Sequence, residues 1–224
     1  MGKKEFILRN IPLNLSSNKV LFISGIGTDI GKTYATASLG NALRKAGHNI
    51  ITQKMIQTGC KGISDDIQMH RKLMKTPLLD IDRDGTTCPI ILSYPSSPHL
   101  AAEIDDTTIH LDLVTQATKK LLTLYDIVLL EGAGGLMVPI HTCNNPLGGY
   151  LSIDYIQENK YPVILVTNGC LGSLNHTLLS IEACRNRNIE IAMILYNSYP
   201  RQDDIIADST LEYLLKLEIP VVEF

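Results

Sequence analysis

The chain has 224 residues, of which 45% are hydrophobic and 19% charged, with a formal net charge of −3. This is enough for one α/β domain with a substantial core, and the charge gives no electrostatic case for nucleic-acid binding. No stretch has the length and apolarity of a membrane span or a signal peptide, and the five cysteines form no C-x-x-C pair, so the expected setting is a reducing cytoplasm without a zinc site or disulfide framework.

Residues 1–19 form an extension with Lys3, Lys4 and Arg9 around Phe6-Ile7-Leu8, and their pattern leaves the structure open. Residues 20–224 read as a single domain. The apolar run Val20-Leu21-Phe22-Ile23 predicts a strand, and a helix-period segment follows over 32–46. Between them lies Gly25-Ile26-Gly27-Thr28-Asp29-Ile30-Gly31-Lys32-Thr33. Strand, glycine-rich turn and helix in this order make a phosphate-binding loop, although Ile26 stands where the usual first glycine falls. The glycines let backbone N–H groups turn inward, the helix N-terminus adds partial positive charge, and Lys32 adds a full one for the β- and γ-phosphates. Thr33 offers its hydroxyl to the Mg²⁺ that accompanies a nucleoside triphosphate.

A second strand over 49–54 ends in Lys54, which directs that lysine toward the same sheet end as the loop. There it can neutralise charge on transferred phosphoryl oxygens, or simply be solvated. Asp65 and Asp66 open a helix over 65–75, a place where aspartates also occur as plain caps. Ser96-Ser97-Pro98-His99 leads into another helix start, with His99 either contacting substrate or packing. The helix over 109–124 is expected to bury Leu113, Val114, Ala117, Leu121 and Leu124, with residues 105–108 capping its start. A strand over 126–131 then ends in Glu131-Gly132-Ala133-Gly134-Gly135, which sets a carboxylate at a strand end, placed to hold Mg²⁺ directly or through water or simply to cap the loop. Further helices are expected over 150–159, 173–187 and 203–217, and strands over 162–167, 190–196 and 220–223. Gly172, Ser173 and Asn175 lie at the 173–187 helix start, whose N–H groups can receive a carboxylate. Asn197-Ser198 follows a strand, where an asparagine reads a nucleobase or makes an ordinary turn. Nearly continuous apolar strands alternating with helices predict an α/β fold: a doubly wound, mostly parallel sheet with helices on both faces, of the P-loop nucleotide-hydrolase type.

Taken together these motifs resemble the dethiobiotin synthetases. The likeness covers roughly Val20 to Val222. It rests on the loop at 25–33, Lys54 with Gln57-Thr58-Gly59, Ser64-Asp65, Ser97-Pro98-His99, the Glu131 run, Leu171-Gly172-Ser173-x-Asn175-His176 and Asn197. The resemblance implies a homodimeric ligase that takes 7,8-diaminopelargonic acid, CO₂ and ATP to dethiobiotin, ADP and phosphate through a carbamate and a carbamic–phosphoric anhydride. It implies that Lys54 and Lys32 are catalytic. Thr33, Asp65 and Glu131 would hold Mg²⁺, with Asp66 leaving that register open by one residue. The ATP-binding set would be Asp29, Ile30, Gly31, Lys32, Thr33, Tyr34, Asp65, Glu131, Gly132, Ala133, Gly134, Asn197 and Ser198. The substrate would meet Thr58, Pro98, His99 and, from the partner subunit, the helix start at Gly172, Ser173 and Asn175. The sequence departs from the common form in its leader and in stopping at Phe224, where many relatives continue through a loop beside the base. Relaxed discrimination among ATP, CTP and GTP is the expectation attached to that ending. The rival from another class is a partner-regulated switch ATPase of the partitioning or septum-positioning type. Such proteins carry a second lysine early in the loop, where this chain has Gly27.

Overall fold

The computed structural model describes residues 18–142, 147–199 and 201–224. Most of the 1–19 extension, and Cys143, lie outside the described residues. In chain order the first half runs β1 (Val20–Gly25), α1 (Lys32–Lys45), β2 (Ile50–Lys54), β3 (Gln57–Thr58), α2 (Asp65–Leu73), α3 (Asp80–Arg83), β4 (Ile91–Leu92) and α4 (Pro98–Ile104). It continues with α5 (Leu111–Leu121), β5 (Ile127–Gly135), β6 (Pro139–Thr142), β7 (Gly149–Leu151), α6 (Ser152–Asn159) and β8 (Val163–Asn168). The last elements are α7 (Ser173–Arg185), β9 (Ile191–Asn197), α8 (Asp204–Leu214) and β10 (Val221–Glu223).

Six strands form one parallel sheet in the order β10-β9-β8-β1-β5-β2. Its strands are apolar on both faces because both faces are covered. Val20 and Phe22 of β1 pack into one core with Val114, Leu121 and Ile153, while Leu21 and Ile23 pack into the other with Ala35, Leu39 and Leu43 of α1. Successive residues of one strand thus belong to opposite layers, as period-two side-chain geometry requires. From β1 the chain moves to β5 and β2 on one side and to β8, β9 and β10 on the other. The loop after β1 therefore sits at the point where the winding reverses, the crevice in which such sheets take their ligands. The predicted doubly wound α/β fold is the fold observed. No helix among the described residues is long and apolar enough to cross a membrane.

Two expectations change. Helix α5 begins at Leu111 after an N-cap, His110, that makes no side-chain cap bond, and it buries Val114, Thr118 and Leu121. Leu113 and Leu124 are exposed. Residues 105–108 do not start it, because Asp105 closes α4 and its carboxylate accepts from the backbone and hydroxyl of Ser93. The segment expected as helix from residue 150 first forms β7, antiparallel to β6. The helix is delayed to Ser152, where the Asp154 carboxylate accepts the Leu151 N–H at 2.9 Å and satisfies one of its free donors. The two-residue parallel pair of β3 and β4 has no periodicity by which a sequence could announce it.

Candidate active site

The loop after β1 is held in shape by its own residues. Gly31 has φ of 96°, which favours glycine, and a Cβ there would lie 2.4 Å from Asn197 Nδ2. Asp29 also adopts positive φ, which a short polar side chain tolerates better than most. Helix α1 opens with no side-chain cap and no acidic residue in its first turn, so its first N–H groups are available to an anion. Lys32 is buried, and its ammonium donates to the Gly27 carbonyl at 2.9 Å, bending over the loop it serves.

Opposite the loop, the ends of β2 and β5 meet in register, Lys54 against Glu131. Both side chains are buried. The Lys54 ammonium lies 2.9 Å from Glu131 Oε1 and 2.5 Å from Asp66 Oδ2, and it donates to the Gly132 carbonyl at 3.1 Å. Thr33 Oγ1 donates to Asp66 Oδ1 at 2.9 Å and lies 3.3 Å from Glu131 Oε1. Helix α2 brings Asp66 in because its start is fixed twice. The Ser64 hydroxyl caps the Ile67 N–H, and the Gln57 side-chain oxygen accepts from both the Ser64 hydroxyl and the Asp66 N–H. Asp65, one residue earlier, points to the exposed outer wall of the same cleft. Of the two neighbouring aspartates it is Asp66, not Asp65, that joins Thr33 and Glu131. A step of one residue turns a helix by about 100°, which is enough to exchange the inner face for the outer one.

Charge in this cluster is tightly balanced. Burial alone would lower the Lys54 pKa, but the Glu131 and Asp66 carboxylates reverse this and hold it above the usual lysine range. Burial would likewise raise Glu131, yet Lys54 and His70 hold it well below the usual carboxylate range. Lys32 is pushed down to about 8 by burial, with the nearby Lys54 charge adding to the effect. A polyphosphate brought to this loop would raise it again, since an anion favours the ammonium form.

These groups line a cleft of about 860 Å³. Of the sequence-predicted site residues it gathers Asp29, Gly31, Lys32, Thr33, Tyr34, Lys54, Thr58, Asp65, Pro98, Glu131, Ala133 and Gly134. Ile30 turns its side chain into the core behind the loop and is not on the cleft wall. The Gly132 carbonyl is taken by Lys54. Asn197 is used as a strut: its amide donates to the Ile30 carbonyl at 3.0 Å, and its oxygen accepts from the Tyr199 N–H. Ser198 donates to the Phe224 carbonyl. His99 is not on the cleft wall, and its Nδ1 is buried without a partner. Gly172, Ser173 and Asn175 are not on that wall either. Ser173 closes its own turn onto the Asn168 and Cys170 carbonyls, whereas Asn175 is exposed. Two residues that sequence reasoning passed over, Thr36 and His70, both contact Glu131 at 2.8 Å. The signal for each was spacing: Thr36 lies four residues after Lys32, and His70 four after Asp66, on the same helix faces.

A family model described as an AAA domain matches residues 19–221. The ATP-dependent dethiobiotin synthetase BioD 2 of Haemophilus influenzae is 52% identical over 185 residues, covering 83% of this chain and 94% of that protein. The chain belongs to the dethiobiotin synthetase family. The synthetase of the same name from Haemophilus ducreyi is 48% identical over 92% of this chain and 96% of its own length. At the level of fold alone, the structure is also similar to a ParA family ATPase from Chlorobium tepidum, with a TM-score of 0.50 at 15% identity over 92% of this chain and 84% of that one. The resemblance drawn from the motifs is thus the family found by comparison.

Among the described residues no group of three or more His, Cys, Asp or Glu side chains could hold a metal ion. The donor set of Thr33, Asp66 and Glu131 is two carboxylates and a hydroxyl. That fits Mg²⁺ in a synthetase of this family, because Mg²⁺ keeps waters and shares its remaining positions with substrate phosphates.

Proposed function

We propose that the chain catalyses ATP-dependent carboxylation and ring closure of 7,8-diaminopelargonic acid with CO₂, giving dethiobiotin, ADP and phosphate. The observation that carries this reading is Lys54 ion-paired with Asp66 and Glu131 at the sheet end facing the phosphate loop, in a chain 52% identical to a dethiobiotin synthetase. One amine adds to CO₂, forming an N–C bond and releasing a proton to give the carbamate. A carbamate oxygen attacks the γ-phosphorus while the bond to ADP breaks. The second amine attacks the carbonyl carbon of the resulting anhydride, phosphate leaves, and the cyclic urea remains.

Phosphoryl transfer of this kind needs positioning and charge neutralisation more than covalent help. Lys32 and the open N–H groups of α1 hold the β- and γ-phosphates. Lys54 stands on the other side of the cleft, where its ammonium meets charge on the carbamate and the transferring group. Thr58 and Pro98 line the cleft wall available to the diamine. Mg²⁺ held by Thr33, Asp66 and Glu131 would supply further neutralisation of the phosphate oxygens. The substrate's carboxylate tail is assigned to the α7 start of a partner subunit. Gly172 and Asn175 there are exposed and Ser173 is buried, and the start lacks a side-chain cap and carries no acid in its first turn. The cysteines described, Cys60, Cys88, Cys170 and Cys184, are free, which supports a cytoplasmic setting.

The test is phosphate release from MgATP and bicarbonate with and without the diamine. Diamine-dependent release with a product of the cyclic urea's mass is expected. Release indifferent to the diamine would overturn the reading in favour of a switch ATPase.

A further inference from the structure

The two oxygens of Glu131 face different surroundings. Oε1 is turned to the cleft, toward the Lys54 ammonium and the Thr33 hydroxyl. Oε2 is turned inward and accepts from Thr36 Oγ1 and His70 Nε2, each at 2.8 Å. Thr36 and His70 have no exposed surface. The Lys54 ammonium and the Thr36 hydroxyl both donate to the Glu131 carboxylate, which makes it the acceptor of the cluster, and at 2.8 Å the contact with His70 is made through an Nε2–H. Its Nδ1 is buried and has no partner. An unpaired buried polar atom is costly, and packing alone would be met by an apolar side chain.

We propose that His70 is a positioning residue for the metal-facing carboxylate of this site. Its Nε2–H fixes Glu131 Oε2 so that Oε1 stays aimed at Thr33 and the cleft. Carboxylate ligands held by a second donor behave in this way in metal sites generally, and loss of that donor typically weakens metal binding by about 10- to 100-fold. The position on the chain supports the role. His70 lies one helical turn after Asp66, so one element, α2, supplies both a carboxylate in the cluster and the donor that orients the other. Thr36 does the same from α1, one turn after Lys32.

The proposal rests on the reading of Glu131 as a metal-facing group, and the test separates the two. Mn²⁺ binding to the full chain with ADP, followed by the loss of the free-ion paramagnetic resonance signal, needs no turnover. His70→Gln keeps an N–H donor at similar reach, and His70→Met removes it at similar size. His70→Met should weaken Mn²⁺ binding by about 10- to 100-fold, while His70→Gln stays within about threefold of wild type. Unchanged Mn²⁺ affinity in His70→Met, with binding weakened in Glu131→Gln, overturns the role of His70 and leaves the metal site standing. Unchanged affinity in both overturns the metal reading of Glu131 and the proposal with it. If His70→Met does not fold, His70→Asn carries the same comparison, because its shorter amide stops short of Glu131: weakened binding supports the role and unchanged binding removes it. A Mg²⁺ titration of turnover gives a second readout, since a purely structural residue would lower Tm without shifting the half-saturating Mg²⁺ concentration.

Discussion

Two adjacent aspartates with the same chemistry occupy different worlds in this protein. Asp66 accepts from Thr33 and pairs with Lys54, whereas Asp65 sits on the exposed wall, where Gln68 makes a long contact with its carboxylate. The sequence left their register open, because both stand in the first turn of one helix and either suits a capping role. The geometry yields a residue-level expectation. Asp66→Asn should raise the half-saturating Mg²⁺ concentration about tenfold or more, and Asp65→Asn should leave it within about threefold. A Mg²⁺ titration of diamine-dependent phosphate release checks both variants, and the reverse order would return the ligand role to Asp65. Asn197 teaches the same lesson in another form. Its residue type suits a nucleobase or a turn; its oxygen makes the turn by accepting from the Tyr199 N–H, and its amide reaches the Ile30 carbonyl, 167 residues away in the chain.

At the level of elements, helix α2 is tied to α3 by a buried ion pair and to β2 of the sheet by a hydrogen bond from the same arginine. Arg71 donates to both carboxylate oxygens of Asp82, at 2.9 and 2.8 Å, and to the Thr52 hydroxyl on β2. Thr87 and the Leu79 N–H complete the shell around Asp82. Burial works to raise the Asp82 pKa, but the Arg71 guanidinium and these hydrogen bonds bring it below the usual carboxylate value. The folded-state pKa is thus the lower one. The stability this gives is fully present above the ordinary aspartate pKa and is lost as pH falls through the depressed one. Urea midpoints measured at successively lower pH should fall in the wild type. Asp82→Asn should start about 3 kcal/mol or more less stable near neutrality, because it leaves Arg71 buried and uncompensated, and should lose less on acidification. An unchanged acid profile in the variant would assign the acid loss to other groups. Because α2 carries both Asp66 and His70, this brace also holds the site.

For the whole molecule, the proposed function places one substrate at both the cleft and the α7 start. Within one chain the Gly172–Asn175 turn is absent from the cleft wall. Leu171 beside it and Tyr199 are among the most exposed apolar residues. A second copy bringing its α7 to this cleft reconciles the two facts and predicts complementation. Lys54→Ala should be inactive, and Asn175→Glu should be inactive because a carboxylate in the first turn competes with the substrate's own. Mixed and allowed to exchange, the two should recover roughly a quarter of wild-type turnover, since half the dimers are mixed and each holds one intact site. A mixture that stays inactive would mean that each chain builds its site alone.

The chain's local chemistry was enough to determine the six strands of the main sheet and the phosphate loop. Apolar runs buried on both faces, glycines at positive φ and a Gly-Lys-Thr at a helix start are properties of neighbouring residues, so the sequence states them directly. What it could not state is which groups meet. Thr33 and Glu131 lie 98 residues apart, and Lys54 and Glu131 lie 77 apart. Their encounter depends on the register of β2 against β5 and on the rotation of α2 over the sheet end. Those are set by packing on both faces of the sheet, so the choice of Asp66, the inward hold of His70 on Glu131 and the structural use of Asn197 were decided only in three dimensions.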